Sequence, residues 1–135
     1  MLTKEVQKNK REDLVYYDEC YRIIGIVMSV YNQLGYGYDE KTYQKAVAIA
    51  LRNAGFKFVE QFYSPVIFEG KVIDKNFLDF LIDGIIILEL KRGNHFSTAH
   101  IKQVYEYLVI KKLKLGLLVY FAPQGIHYKR IVNLN

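Results

Sequence analysis

Apolar residues recur at steps of three and four along the first third of the chain, which is the spacing of one helical face. One such stripe lies within Glu12–Leu34, and a second runs from about Asp39 to Ala54. Gly35 and Gly55 directly follow the two stripes, and glycine is common just past the end of a helix. The pattern therefore predicts two amphipathic helices at the start of the fold.

From residue 56 onward the apolar positions alternate with a period of two, which is typical of strands. Strands are predicted at Phe56–Tyr63, Pro65–Glu69, Asn76–Ile82 and Ile85–Lys91. A third helix is predicted from about Ser97 to Leu113, and two further strands at Gly116–Phe121 and about His127–Val132. The order ααββββαββ predicts an α/β fold with a mixed β-sheet flanked by helices.

Length and composition indicate one folded domain. The chain has 135 residues, of which 51% are hydrophobic, and this is enough for one packed core. Residues 1–11 are predicted to be a charged lead-in, and residues 12–135 to be a single domain. The N-terminus lacks the apolar segment of a signal peptide, no apolar run is long enough to cross a bilayer, and Cys20 is the only cysteine. These features favour a cytoplasmic protein with no membrane partner.

The charge balance favours an anionic partner. The formal net charge is +5 and the isoelectric point is about 9.2, which suits binding to nucleic acid. An ordinary soluble surface can be equally basic, so charge alone leaves both interpretations open.

Three charged residues interrupt the apolar strands. Asp79 lies within one strand, and Glu89 and Lys91 lie two residues apart at the end of the next strand, so these two side chains share a face. A buried carboxylate is costly unless it is paired or binds a metal ion. The pattern is compatible with a metal site. It is equally compatible with a strand-end ion pair between Glu89 and Lys91 and with Asp79 facing solvent on an edge strand.

The turn between these strands decides whether the two carboxylates meet. A two-residue turn at Asp83-Gly84 would place Asp79 and Glu89 on opposite faces. A three-residue turn that pairs Leu81 with Ile85 would place Asp79 diagonal to Glu89, within reach of one ion. An active site at this position therefore requires the longer, bulged turn.

These residues resemble a known group of enzymes. Asp79 followed by Glu89-Leu90-Lys91 is similar to the core of the PD-(D/E)XK nucleases. The segment Gly37–Tyr43 (GYDEKTY) reads as GxxExxY, the signature of one branch of that superfamily. Gln103 and Tyr107, four residues apart, resemble the QxxxY motif of RecB-type exonucleases. The resemblance covers about residue 31 to the C-terminus and implies a restriction-endonuclease-like fold.

Two features depart from the family pattern. The proline of the family name is absent, because Asn76-Phe77-Leu78 precedes Asp79. The four-cysteine cluster of some RecB-like nucleases is also absent, so no iron–sulfur cluster is implied.

The resemblance implies a role for each candidate catalytic residue. Asp79 and Glu89 would be ligands of Mg²⁺, with Mn²⁺ as a substitute, because hard cations bind oxygen. Lys91 would position or deprotonate the attacking water. Glu40 would hold a water at the metal, although an acidic residue in the first turn also suits a helix dipole. Gln103 would brace the nucleophile or a phosphate.

Further residues are predicted to contact the substrate. Arg92, Lys102 and Tyr107 are candidates for binding nucleic acid, although Tyr107 would serve equally in core packing and a charge run is often only a solvated face. His95 and His100 are expected to be surface or capping residues.

The predicted function is Mg²⁺-dependent hydrolysis of phosphodiester bonds, with DNA expected as the substrate in preference to RNA. A homodimer is left open as a partner. The alternatives are a nucleic-acid-binding module that keeps the fold without cutting, a hydrolase other than a nuclease, and a structural domain with a buried Asp–Glu–Lys network.

Overall fold

The computed structural model describes residues 15–135, which form three helices and one five-stranded sheet. The helices are α1 (Tyr17–Leu34), α2 (Glu40–Asn53) and α3 (Thr98–Lys111). The strands are β1 (Phe58–Phe68), β2 (Lys71–Ile82), β3 (Ile86–Arg92), β4 (Leu115–Ala122) and β5 (Gly125–Val132). The predicted lead-in, residues 1–11, lies outside the described residues, as do the first three residues of the predicted domain.

The sheet is mixed, as predicted. Its strand order is β1-β2-β3-β4-β5, and β3 and β4 run parallel while the other neighbours are antiparallel. The parallel pair requires a crossover, which α3 supplies. The predicted α/β class with flanking helices is confirmed.

The predicted number of strands is wrong by one. The two strands expected at Phe56–Tyr63 and Pro65–Glu69 are one continuous strand, β1, and the observed order is ααβββαββ. Pro65 does not interrupt it, because β1 lies at the edge of the sheet. Proline has no N–H to donate, and an edge strand tolerates this because one of its sides pairs with no other strand.

The two faces of the sheet bury separate apolar clusters. Leu88 and Leu90 of β3 pack in the cluster that contains α1 and α2, whereas Ile87 packs in the cluster that contains α3. β3 and β4 are buried on both faces, apart from the last two residues of β3. A charged group in β3 is therefore taken out of water unless it lies at the strand end.

Partway along β1 and β2, the apolar side chains switch from one face of the sheet to the other. Phe58 and Phe80 pack in the cluster with α1 and α2, but Phe62 and Leu78 pack in the cluster with α3. Residues an even number of positions apart should share a face in a regular strand. Gln61 has a φ of 50°, which breaks the regular geometry of β1 at this point. Beyond it the two strands continue as a largely exposed hairpin.

Close packing of α3 on the sheet gives a testable consequence at Gly116 in β4. A Cβ atom at this position would lie 2.5 Å from Val104 Cγ1 of α3. We expect Gly116→Ala to lower the free energy of unfolding by about 1–3 kcal/mol through overpacking, measured by denaturant titration. Gly25→Ala on α1 is the matched control, since its Cβ would meet no atom within 4 Å, and it should be neutral or stabilising. Equal stability of the two variants would contradict this packing.

Candidate active site

The turn between β2 and β3 brings the two carboxylates together. Ile82 pairs with Ile86, so Asp83–Ile85 form a three-residue turn whose first two residues have φ values of 52° and 70°. The predicted bulged turn is present, but it lies one residue later than expected. Continuing the observed register by one step places Asp79 directly opposite Glu89, rather than diagonal to it.

Next to the turn-proximal part of the β2–β3 ladder, side-chain carboxylates accept the hydrogen bonds that backbone carbonyls would otherwise accept. The last backbone pair between β2 and β3 is Phe80 with Leu88. Beyond it, the Asp79 N–H donates to Glu89 Oε1 at 3.0 Å, and the Leu90 N–H donates to Asp79 Oδ2 at 2.8 Å. Each carboxylate thus takes the place of a backbone acceptor, and the two acid groups are fixed between the strands.

The kink in β1 contributes a further contact. Gln61, the residue with positive φ, donates from Nε2 to Asp79 Oδ1 at 3.4 Å. Asp79 is therefore half-buried and held from both neighbouring strands. The expectation that Asp79 faces solvent on an edge strand is wrong, because β2 is an internal strand.

Glu89 is held in an environment that disfavours its charge. Its side chain is buried, with 3% of the residue exposed. Burial raises the pKa of Glu89 to about 9, and the negative charge of Asp79 and a hydrogen bond with it add to this rise, while Lys91 opposes it. The alternative of a strand-end ion pair between Glu89 and Lys91 is not formed: within residues 15–135 the ion pair within 4.0 Å is Lys102 with Glu106. A cation bound between the carboxylates would offset this repulsion.

The start of α2 brings Glu40 to the end of β3. Asp39 caps the helix by accepting the Thr42 N–H at 2.8 Å, so the helix begins at Glu40. Glu40 Oε1 then accepts the Arg92 N–H at 3.2 Å. Since Arg92 follows Lys91 in β3, Glu40 reaches the strand end next to the lysine.

The structure adds a histidine and a tyrosine that the sequence analysis did not assign to the site. Tyr120 of β4 pairs with Lys91 in the parallel ladder. Its hydroxyl accepts the Ser97 N–H at 3.2 Å and bonds to His100 Nδ1 at 2.7 Å. Partial burial and then the charge of Lys91 lower the pKa of His100, while the charge of Glu40 opposes this. The sequence carried no signal for this contact, because it depends on which strand pairs with β3.

The remaining predicted residues lie along α3. Gln103 and Tyr107 line a groove between α3 and the β1–β2 hairpin. Tyr107 is buried and its ring packs 5.0 Å from that of Phe62. Lys102 is exposed and lies 3.8 Å from Glu106. No hydrogen bond joins Lys102, Gln103 or Tyr107 to the carboxylates in the part of the chain that the structure describes, so their roles stay predictions.

The donor set of two carboxylates fits a hard divalent cation. Among residues 15–135 no group of three or more His, Cys, Asp or Glu side chains could hold a metal ion. Mg²⁺ commonly keeps several waters and binds one or two carboxylates. Asp79 and Glu89 meet that requirement without further side chains.

Comparison with known proteins places the chain in a family. A family model described as the PD-(D/E)XK nuclease superfamily matches residues 17–131. The chain belongs to the PD-(D/E)XK nuclease superfamily. Members of this superfamily are typically nucleases that use divalent metal ions. The match does not test the narrower GxxExxY branch, which stays a prediction.

A solved structure shares the fold of this PD-(D/E)XK domain. It is titled "Crystal structure of SSO0001", is 22% identical and aligns with a TM-score of 0.52. The alignment covers 87% of this chain and 60% of that chain, so the domain spans less than two thirds of the other protein's length. At this identity the likeness supports the fold alone. No curated protein matches the chain. None of the helices within residues 15–135 is long and apolar enough to span a membrane.

Removing the charge of Glu89 separates metal binding from a structural role. Glu89→Gln keeps an oxygen that can accept the Asp79 N–H but cannot take up the negative charge that a bound cation requires. We expect its melting temperature without metal to equal or exceed that of the unchanged protein. Mg²⁺ or Mn²⁺ should stabilise the unchanged protein, by about 2.7 kcal/mol at 100 times the dissociation constant, and should not stabilise Glu89→Gln.

The matched control is Glu106→Gln on the exposed face of α3. It should keep the full metal effect. If the unchanged protein gains no stability from either cation, the carboxylate pair is a structural network and not a metal site.

Proposed function

We propose that this PD-(D/E)XK domain is a Mg²⁺-dependent nuclease that hydrolyses phosphodiester bonds of DNA, with Mn²⁺ able to replace Mg²⁺. The observation that carries the proposal is the pair of opposed carboxylates, Asp79 and Glu89, fixed between two strands beside Lys91. A divalent ion in this pair would neutralise charge on the phosphate and lower the pKa of the attacking water.

The chain's own residues would orient and activate that water. Lys91 stands at the end of β3, two residues beyond Glu89 and on the same face. As an ammonium group, the side chain would position the water by donating a hydrogen bond to it. As a neutral amine, it would accept the proton of the water. Glu40, already anchored by the Arg92 N–H, would hold a water at the same strand end. His100, held through Nδ1 by Tyr120, would offer its other ring nitrogen to a phosphate oxygen.

The surface around the strand end supports an anionic substrate. The net charge of +5 favours a polyanion, and Arg92 lies at the same strand end, directly after Lys91 and with its side chain on the opposite face of β3. Lys102 and Gln103 on α3 would contact phosphates of the bound DNA strand that lie farther from the reaction site. The position of Tyr107 is better explained by its packing against Phe62. We therefore propose that it supports the surface between α3 and β1 rather than touching the substrate.

The carboxylates argue against a purely structural network. A structural domain gains nothing from burying two acidic groups in contact, since apolar residues of similar size would be at least as stable. A domain that binds nucleic acid without cutting would also have no use for them. The arrangement is useful where a cation must be held firmly and yet remain open to a substrate.

Cleavage of DNA tests this function directly. Purified protein should cut DNA with Mg²⁺ or Mn²⁺ and not with EDTA. Asp79→Asn should abolish cutting because it removes a ligand, and Lys91→Ala should lower the rate by at least about 100-fold because it removes the group that activates water.

Lys57→Ala is the matched control for loss of positive charge. Lys57 is exposed and contacts the β2–β3 turn, at the opposite end of β3 from the site. Its cutting rate should equal that of the unchanged protein. Metal-dependent cutting that survives Asp79→Asn would place the reaction elsewhere, and DNA binding without any cutting would favour the non-cleaving module.

A further inference from the structure

Two exposed tyrosines stand on the loop that leads into the proposed active site. The loop joins α1 to α2 and contains Tyr36 and Tyr38, whose residues are 41% and 45% exposed. Neither ring is needed to fill the core, and neither has a role in the metal site. The loop ends at Asp39, one residue before Glu40. Aromatic rings kept in water beside a reaction site commonly serve recognition.

The loop that carries these rings is fixed to the body of the domain. Gly35 and Gly37 have φ values of 76° and 124°, so the chain can turn sharply on either side of Tyr36. The Tyr43 hydroxyl donates to the Gly35 carbonyl oxygen at 2.6 Å. The rings are therefore held in place before any ligand binds, which lowers the entropic cost of binding.

Tyr38 is the outermost member of a series of aromatic contacts that begins in the core. Its ring meets the ring of Tyr43 edge-on, with centroids 6.0 Å apart. The Tyr43 ring is stacked on Phe121 of β4 at 4.0 Å, with an angle of 2° between the planes. Tyr43 and Phe121 are fully buried. The position of Tyr38 is thus set by the strand next to the one that carries Lys91.

Arg92 connects the second ring to the strand end. Its guanidinium carbon lies 5.1 Å from the centre of the Tyr36 ring, within the range of a cation–π contact. The backbone N–H of the same residue donates to Glu40. Arg92 directly follows Lys91, so its side chain leaves the opposite face of β3. The Tyr36 ring and the guanidinium plane therefore lie at the same strand end, on the α2 side of the proposed reaction site.

We propose that Tyr36, Tyr38 and Arg92 form a stacking platform for an unpaired nucleobase next to the scissile phosphate. The location of the platform rests on the proposed nuclease function. Aromatic faces and guanidinium planes stack on any base, whereas a base within a duplex has both of its faces covered by its neighbours. The substrate class is therefore a single strand or a frayed end rather than intact duplex.

Binding without metal tests the platform separately from cleavage. The probes are fluorescently labelled oligodeoxythymidine, the same strand paired with oligodeoxyadenosine, and oligouridine, all measured by anisotropy in EDTA. The single strands should bind more tightly than the duplex. The double variant Tyr36→Ala with Tyr38→Ala should lose about five-fold or more in affinity for the single strand, because it removes the stacking surface.

Two further variants separate stacking from charge and from folding. The double variant Tyr36→Phe with Tyr38→Phe keeps both rings and should bind as the unchanged protein does. Arg92→Lys keeps the charge but loses the planar group, so it should also weaken single-strand binding. Tyr21→Ala is the control, since Tyr21 is 74% exposed on α1 and lies outside the loop. Similar affinity for thymidine and uridine strands is expected, because stacking does not involve the 2′-hydroxyl.

The outcomes are distinct from those of the nuclease proposal. Equal affinity for duplex and single strand, an unchanged affinity in the alanine double variant, or no binding of nucleic acid at all would overturn the platform. Metal-dependent cutting in a parallel assay could still stand in each case. If single strands bind through the two rings but are never cut, the platform stands and the nuclease function fails.

Discussion

The repulsion between two carboxylates held in contact between β2 and β3 is the constraint on which the rest of the site depends. Asp79 and Glu89 are fixed by backbone N–H groups of the opposing strands, and Glu89 is buried enough for its pKa to rise to about 9. Such a pair is unfavourable unless a proton or a cation shares it. The fold builds this arrangement between two internal strands of the sheet.

The surrounding elements converge on the same strand end. The first turn of α2 carries Glu40, whose carboxylate accepts a hydrogen bond from the backbone N–H of Arg92. The first turn of α3 delivers His100, which bonds to Tyr120 on the strand paired with β3. Since β3 and β4 run parallel, their carboxyl ends lie at one edge of the sheet, where groups from different elements can meet. The mixed topology therefore brings groups from α2, α3 and β4 to the strand end that carries Lys91.

The sequence was sufficient for the fold class and for the candidate carboxylates, because both rest on local patterns. Charges inside strands of period two stand out, and the superfamily was recognisable from Asp79 and Glu89-Leu90-Lys91. The register was not predictable, since it depends on a turn in which a non-glycine residue, Asp83, adopts positive φ. The continuous β1 was missed because Pro65 is tolerated only at a sheet edge, and edge position is a property of the whole sheet. The contact between His100 and Tyr120 was missed for the same reason, because it follows from strand pairing.

A crystal of the protein soaked in Mn²⁺ and measured near the manganese absorption edge tests the central claim most directly. We expect an anomalous peak between Asp79 and Glu89, about 2.0–2.3 Å from an oxygen of each, with waters completing the shell. No peak at this position in crystals that diffract well, with the two carboxylates still sharing hydrogen bonds with the opposing strands, would contradict it. The pair would then be a protonated structural element, and the nuclease function would need another site.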